Sequence, residues 1–117
     1  NPAASAMAKI GEANGFAGGD AFVGESYDAA ALMLLAMASA KSSDPQVYKD
    51  HIMKVANGTG EKIYPGELAK GIKLASYGVA IDYVGASSVS LIGPGEAAGN
   101  FREIQIQNGK MVDVNYR

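Results

Sequence analysis

Apolar residues recur along the first two-thirds of the chain at intervals of three and four, the spacing of a helix face. Ala3, Met7 and Ile10 set the register of a first helix over residues 2–13. Pro2 suits its opening turn, where a missing N–H costs nothing, and Asn14-Gly15 stops it. A loop with Gly18-Gly19 follows over 16–20. The main helix is predicted over 22–40, with Tyr27, Ala30, Ala31, Leu34, Leu35 and Ala38 as its stripe. Leu32, Met33 and Met37 fall on other faces, so this helix is expected to be buried on more than one side. Asp20 and Ser26 are its candidate caps. Ser43-Asp44-Pro45-Gln46 restarts the pattern, with Ser43 and Gln46 at capping-box spacing and Pro45 in the first turn. That helix runs to Ala56 and ends at Asn57-Gly58, with Lys54 placed to favour its dipole. Residues 58–60 read as a loop. A fourth helix is predicted over 65–77, carried by Leu68, Gly71, Ile72 and Ala75, with Gly78 as a left-handed cap.

Beyond Gly78 the period changes to two. Val89 and Leu91 alternate with Ser88 and Ser90, and Gly93-Pro94-Gly95 breaks the run. Arg102, Ile104 and Ile106 alternate with Glu103, Gln105 and Gln107; Val112, Val114 and Tyr116 alternate with Asp113 and Asn115. Asn108-Gly109 between them is the strongest short hairpin signal. Four helices followed by strands, without βαβ alternation, point by themselves to α+β. A terminal hairpin too short to cover the helices also implies a missing sheet.

Composition narrows the class. The chain has 117 residues, 48% apolar and 19% charged, which is ordinary globular usage and excludes disorder over most of its length. A net charge of −2 without a basic cluster argues against a nucleic-acid partner. There is no cysteine, hence no disulfide, thiol catalysis or zinc–cysteine site, and His51 is the single histidine. The longest uncharged apolar run, 29–40, falls short of the roughly 20 residues a membrane span needs. The first residue is Asn1 with no basic-then-apolar leader behind it, so the chain is expected to be processed or cut from something longer.

Five short patterns invite a chemical reading. Gly24-Glu25-Ser26-Tyr27-Asp28 is similar to a nucleophile elbow but has Asp28 where that turn needs its second glycine. Its serine would depend on His51 as base, so a helix start is the better reading. Residues 93–99 lack the glycine spacing of a dinucleotide loop and fit a turn. Gly58-Thr59-Gly60-Glu61-Lys62 lacks the phosphate-loop spacing and reads as loop with Glu61 and Lys62 solvated. Asp20, Glu25 and Asp28 offer too few oxygens for calcium and fit acids complementing a helix dipole. Phe16, Phe22 and Tyr27 surround the glycine loop, where aromatics either pack or wall a small-ligand pocket.

Four collinear segments carry a family resemblance: 26–33 (Ser26-Tyr27-Asp28-Ala29-Ala30-Ala31-Leu32-Met33), Tyr64-Pro65-Gly66-Glu67, Ile81-Asp82-Tyr83-Val84-Gly85-Ala86-Ser87, and Gly99-Asn100-Phe101 through Ile104-Gln105-Ile106 to Asn108-Gly109-Lys110. Together, from Phe22 onward, they resemble the C-terminal part of periplasmic solute-binding proteins of ABC transporters, of the branched-chain amino-acid (Leu/Ile/Val) receptor type. The chain departs from that pattern at Ser88, where a second glycine is frequent, and over 91–96, where an acid-containing turn is frequent.

The resemblance implies an α/β class, as part of a two-lobed, Rossmann-like type I periplasmic-binding fold. Residues 1–99 would complete the first lobe, and 100–117 would cross the hinge and add a hairpin to the second. It implies a non-enzymatic receptor, with no cofactor, that closes on an amino acid or similar solute and presents it to a membrane permease. Phe22 is the expected pocket residue, with Val23 and Gly24 beside it, and Tyr27 is expected in the core. The remainder of the chain would be its structural partner, the location extracytoplasmic. Alone, the segment is expected to expose helix faces and strand edges and so to oligomerise, exchange strands or need a companion fragment. Two other readings stand beside this one: a self-standing small α+β interaction domain, and a serine hydrolase built on Ser26.

Overall fold

A computed structural model describes residues 2–20, 22–87, 90–93, 96–98 and 102–116, with side chains over 2–20 and 22–87 and at 105, 106, 108 and 109. The first helix, α1 (Pro2–Asn14), buries Ala3, Met7 and Gly11, and Gly15 follows it at φ 81° as the expected stop. The main helix, α2 (Val23–Ala40), buries Asp28, Ala31, Leu32, Leu35 and Ala36. Its buried face is therefore rotated from the expected stripe. Leu34 is exposed and Leu32 is inside. Met33 is exposed too, so α2 is covered on one side rather than two among the described residues. Neither Asp20 nor Ser26 caps α2 with its side chain; Phe22 occupies the N-cap.

Helix α3 (Pro45–Ala56) starts one residue away from the predicted box. Asp44 is the N-cap, and its Oδ1 accepts from the Gln46 N–H at 3.0 Å, while Ser42 Oγ accepts from the Asp44 N–H. A carboxylate at this position satisfies an orphan donor as well as a serine does and adds favourable charge. The fourth helix, α4 (Leu68–Ser76), is shorter than predicted. Residues 64–67 form a turn instead, with the Glu67 N–H donating to Tyr64 O at 2.9 Å. Pro65 and then Gly66 at φ 90° occupy its central positions, the pattern of a type II turn. Gly78 is left-handed beyond α4, as expected.

The main correction concerns connectivity. Glu61 and Lys62, expected as loop, belong to β1 (Glu61–Ile63), which pairs in parallel with β2 (Ile81–Tyr83) across α4. This is a βαβ unit, so the class is mixed α/β and not α+β. A three-residue strand is too short to show alternation, which is why its period was invisible. Glu61 and Lys62 are exposed all the same, and Glu61 pairs with Lys70 of α4 at 2.9 Å. The Asp82 carboxyl lies opposite Lys62; burial holds it above the usual aspartate value, against the pull of that lysine.

The core lies where these elements meet. Helix α2 packs on α3 and α4, and α4 packs on both strands. Leu35, Ala31 and Ala36 meet Val55 and Ala56 of α3, Ile63, Ala75, Ile81 and Tyr83 in one cluster. Full burial of a side chain such as Leu35 contributes about 1.5–3 kcal/mol.

The later strands stand apart from the parallel pair. β3 (Ser90–Gly93) pairs antiparallel with β4 (Glu96–Ala98), and β5 (Arg102–Gln107) pairs antiparallel with β6 (Lys110–Tyr116). Asn108 at φ 52° and Gly109 at φ 76° make the predicted turn, both left-handed as a type I′ hairpin requires. The expected turn at Pro94-Gly95 and the expected lobe boundary at 99–100 lie outside the described residues.

Gly60 sits where the chain enters β1, and a Cβ there would run into the Ala80 carbonyl opposite it. Gly60→Ala is expected to lower stability by about 1–3 kcal/mol in urea unfolding. Gly19→Ala, in open space, is expected to stay within about 0.5 kcal/mol.

Candidate functional site

In an open α/β sheet, ligands gather outside the carboxyl ends of the strands. Here those ends lead into two turns, 64–67 after β1 and 84–87 after β2. Both are held by consecutive residues of α2. The Tyr27 hydroxyl accepts the Gly66 N–H at 2.9 Å. The Asp28 carboxylate accepts from the Tyr83 hydroxyl at 2.7 Å and the Ala86 N–H at 2.9 Å on Oδ1, and from the Ser87 N–H at 2.8 Å and the Ser87 hydroxyl on Oδ2.

Asp28 is 2% exposed, and no cation pairs with it among the described residues. Its desolvation is offset by four donors, two of them backbone. Room for the carboxylate comes from Gly85, where a Cβ would lie 2.6 Å from Asp28 Oδ1. Tyr83 is 1% exposed, and its phenol is pushed far above its ordinary value of 10.0, first by burial, then by its bond to Asp28 and by that residue's charge.

The expected pocket residues sit at the same edge. Gly24 lies against the second turn; a Cβ on it would approach Ala86 Cβ to 3.3 Å. Val23 and Gly24 are half-buried in the first turn of α2, and Phe22 precedes them, 76% exposed. Phe22 holds φ 65°, ψ 2°, a left-handed conformation that costs a residue with a Cβ about 1–3 kcal/mol. Phe16 is also exposed, whereas Tyr27 packs against the core cluster, as expected of it.

Asp20, Glu25 and Asp28 are expected together as acids that complement a helix dipole. That reading is corrected for Asp28, whose charge is consumed by residues of the second turn. One signal pointed there: an acid on the same face as Ala31, Leu32 and Leu35 must be satisfied internally. No group of three acidic or histidine side chains is gathered as a metal site among the described residues. The proposed elbow is a stretch of helix. Ser26 is exposed, and His51 shares a 2.9 Å hydrogen bond with Ser39, about 20 Å further along the α2 axis.

No family model matches the chain, and neither a curated protein nor a solved structure does.

The fold retains the neutral Tyr83 phenol while the unfolded chain ionises near its ordinary value. The stability this provides is complete below pH 10 and is lost as pH rises above it. Tyr83→Phe is expected to cost about 1–3 kcal/mol at pH 7, because Asp28 loses a donor, and to flatten the decline above pH 10. Urea midpoints of both proteins between pH 7 and 11 check this.

Proposed function

We propose that the chain forms part of a two-lobed receptor for an amino acid or similar small solute, of the type I periplasmic-binding fold, serving an ABC uptake transporter outside the cytoplasm. The observation that carries the reading is Phe22. The Phe22 ring is held left-handed and 76% exposed, two residues before Gly24 at the carboxyl edge of a parallel strand pair, and among the described residues it has little packing to offset its strain. Such outliers cluster at ligand clamps, and apolar pockets for small solutes are walled by rings of this kind. Val23 and Gly24 add a wall and a close backbone approach. Hinge closure would bring the second lobe down on this edge, with the solute stabilising the closed form. The paired strands β1 and β2 support the same reading, since parallel sheets are normally extended and covered on both faces.

The test is ligand-induced stabilisation of the full-length protein against branched-chain and aromatic amino acids, amides and urea. A cognate solute at 100 times its dissociation constant adds about 2.7 kcal/mol. Phe22→Ala, which keeps the backbone cost and loses the ring, is expected to abolish that gain with unliganded stability changed by no more than about 0.5 kcal/mol. Phe22→Gly is expected to abolish it while raising unliganded stability by roughly 1 kcal/mol. A panel with no stabilising solute, or a solute whose effect survives both substitutions, contradicts the proposal.

A further inference from the structure

Tyr27 and Asp28 are neighbours in sequence, yet each grips the exit of a different strand. Tyr27 makes one bond to the first turn, at an exposed site. Asp28 makes four to the second, from a buried one. The two grips are therefore unequal. The second turn is clamped by a carboxylate whose release would leave the donors of Tyr83, Ala86 and Ser87 without their acceptor, while the first is held through a single hydroxyl. Phe22 lies six residues before Asp28, and a Cβ on Gly24 would approach Ala86 Cβ in the clamped turn to 3.3 Å. The backbone that presents Phe22 is thus referenced to the sheet edge through Asp28.

We propose that Asp28 is a positioning residue: it latches the 83–87 segment to α2 and so holds the Phe22–Gly24 edge in its binding geometry before any solute arrives. This rests on the solute-binding reading of that edge. A preformed edge spares the solute the ordering cost that a loose one would charge against affinity. Asparagine at position 28 is isosteric but turns one acceptor oxygen into an NH2 group, which faces donors at Ala86 or at Ser87. One side of the latch must then open.

The experiment uses full-length protein carrying 4-fluorophenylalanine at position 22. It compares Asp28→Asn and Ser87→Ala with Val55→Ala, a core truncation outside the latch. Fluorine NMR of the unliganded protein reads the position of the ring; titration with L-leucine reads affinity at a temperature where each variant is folded. Asp28→Asn is expected to shift and broaden the fluorine resonance and to weaken L-leucine binding about tenfold or more, the scale of one lost hydrogen bond to a charged group. Ser87→Ala does the same to a smaller degree, and Val55→Ala does neither, although it destabilises the fold. If Asp28→Asn fails to fold, Ser87→Ala decides, since it removes one bond and leaves both backbone bonds in place. A resonance unmoved in the latch variants overturns the inference, as does an affinity loss shared equally by Val55→Ala. If the unsubstituted protein takes no L-leucine, the fluorine result decides alone, so a failed ligand assignment is told apart from a failed latch.

Discussion

The Asp28 carboxylate collects four hydrogen bonds from residues at least 55 positions downstream. A charge taken out of water at 2% exposure is costly unless fully paired, so its partners are obliged to be in place whenever α2 is docked. That obligation orders several other features. Tyr83 must be both the last residue of β2 and a hydroxyl donor. Gly85 must lack a Cβ. Ala86 and Ser87 must turn their N–H groups back toward the helix. The parallel pairing of β1 with β2, closed by the Val84 N–H to Ile63 O bond at 2.8 Å, then sets where the other strand exit lies. Polar satisfaction is complete in this region; no buried side-chain nitrogen or oxygen lacks a partner among the described residues.

A strained residue beside a saturated latch is a coherent combination. The left-handed backbone at Phe22 costs energy locally, and the interactions that hold it in place lie a few residues on, in α2 and in the second turn. Saturated bonding at Asp28 and left-handed backbone at Phe22 thus lie within the first two turns of the same helix. The exposed apolar residues elsewhere, Met33 and Leu34 on α2 and Ile106 on the β5–β6 hairpin, have no comparable local explanation.

What the sequence disclosed follows from how each element encodes itself. The four helices were legible because 9 to 18 residues give the period room to repeat. The Asn108-Gly109 hairpin was legible because its turn demands two left-handed residues. The parallel pair was hidden: three residues carry no alternation, and pairing between strands 20 positions apart has no local signature. The cap of α3 was missed by one residue because Ser43 and Asp44 are both good caps. Phe22, Val23 and Gly24 were named from resemblance; in the fold Gly24 lies against Ala86 beyond β2 and the other two precede it, a placement that periodicity alone did not reveal. Asp28 was legible only as an acid at a helix start, because its partners lie in a segment whose turn the pattern could not place.

The most direct measurement of the central claim is a double-mutant cycle between Asp28 and Tyr83, read from urea unfolding at pH 7. Asp28→Ala, Tyr83→Phe and the double variant are compared with the unsubstituted protein. A shared buried bond predicts a coupling energy of about 1–3 kcal/mol, with the double variant less destabilised than the two single losses together. Additivity to within about 0.5 kcal/mol would contradict the account, because the helix and the sheet edge would then be held together by something other than this carboxylate.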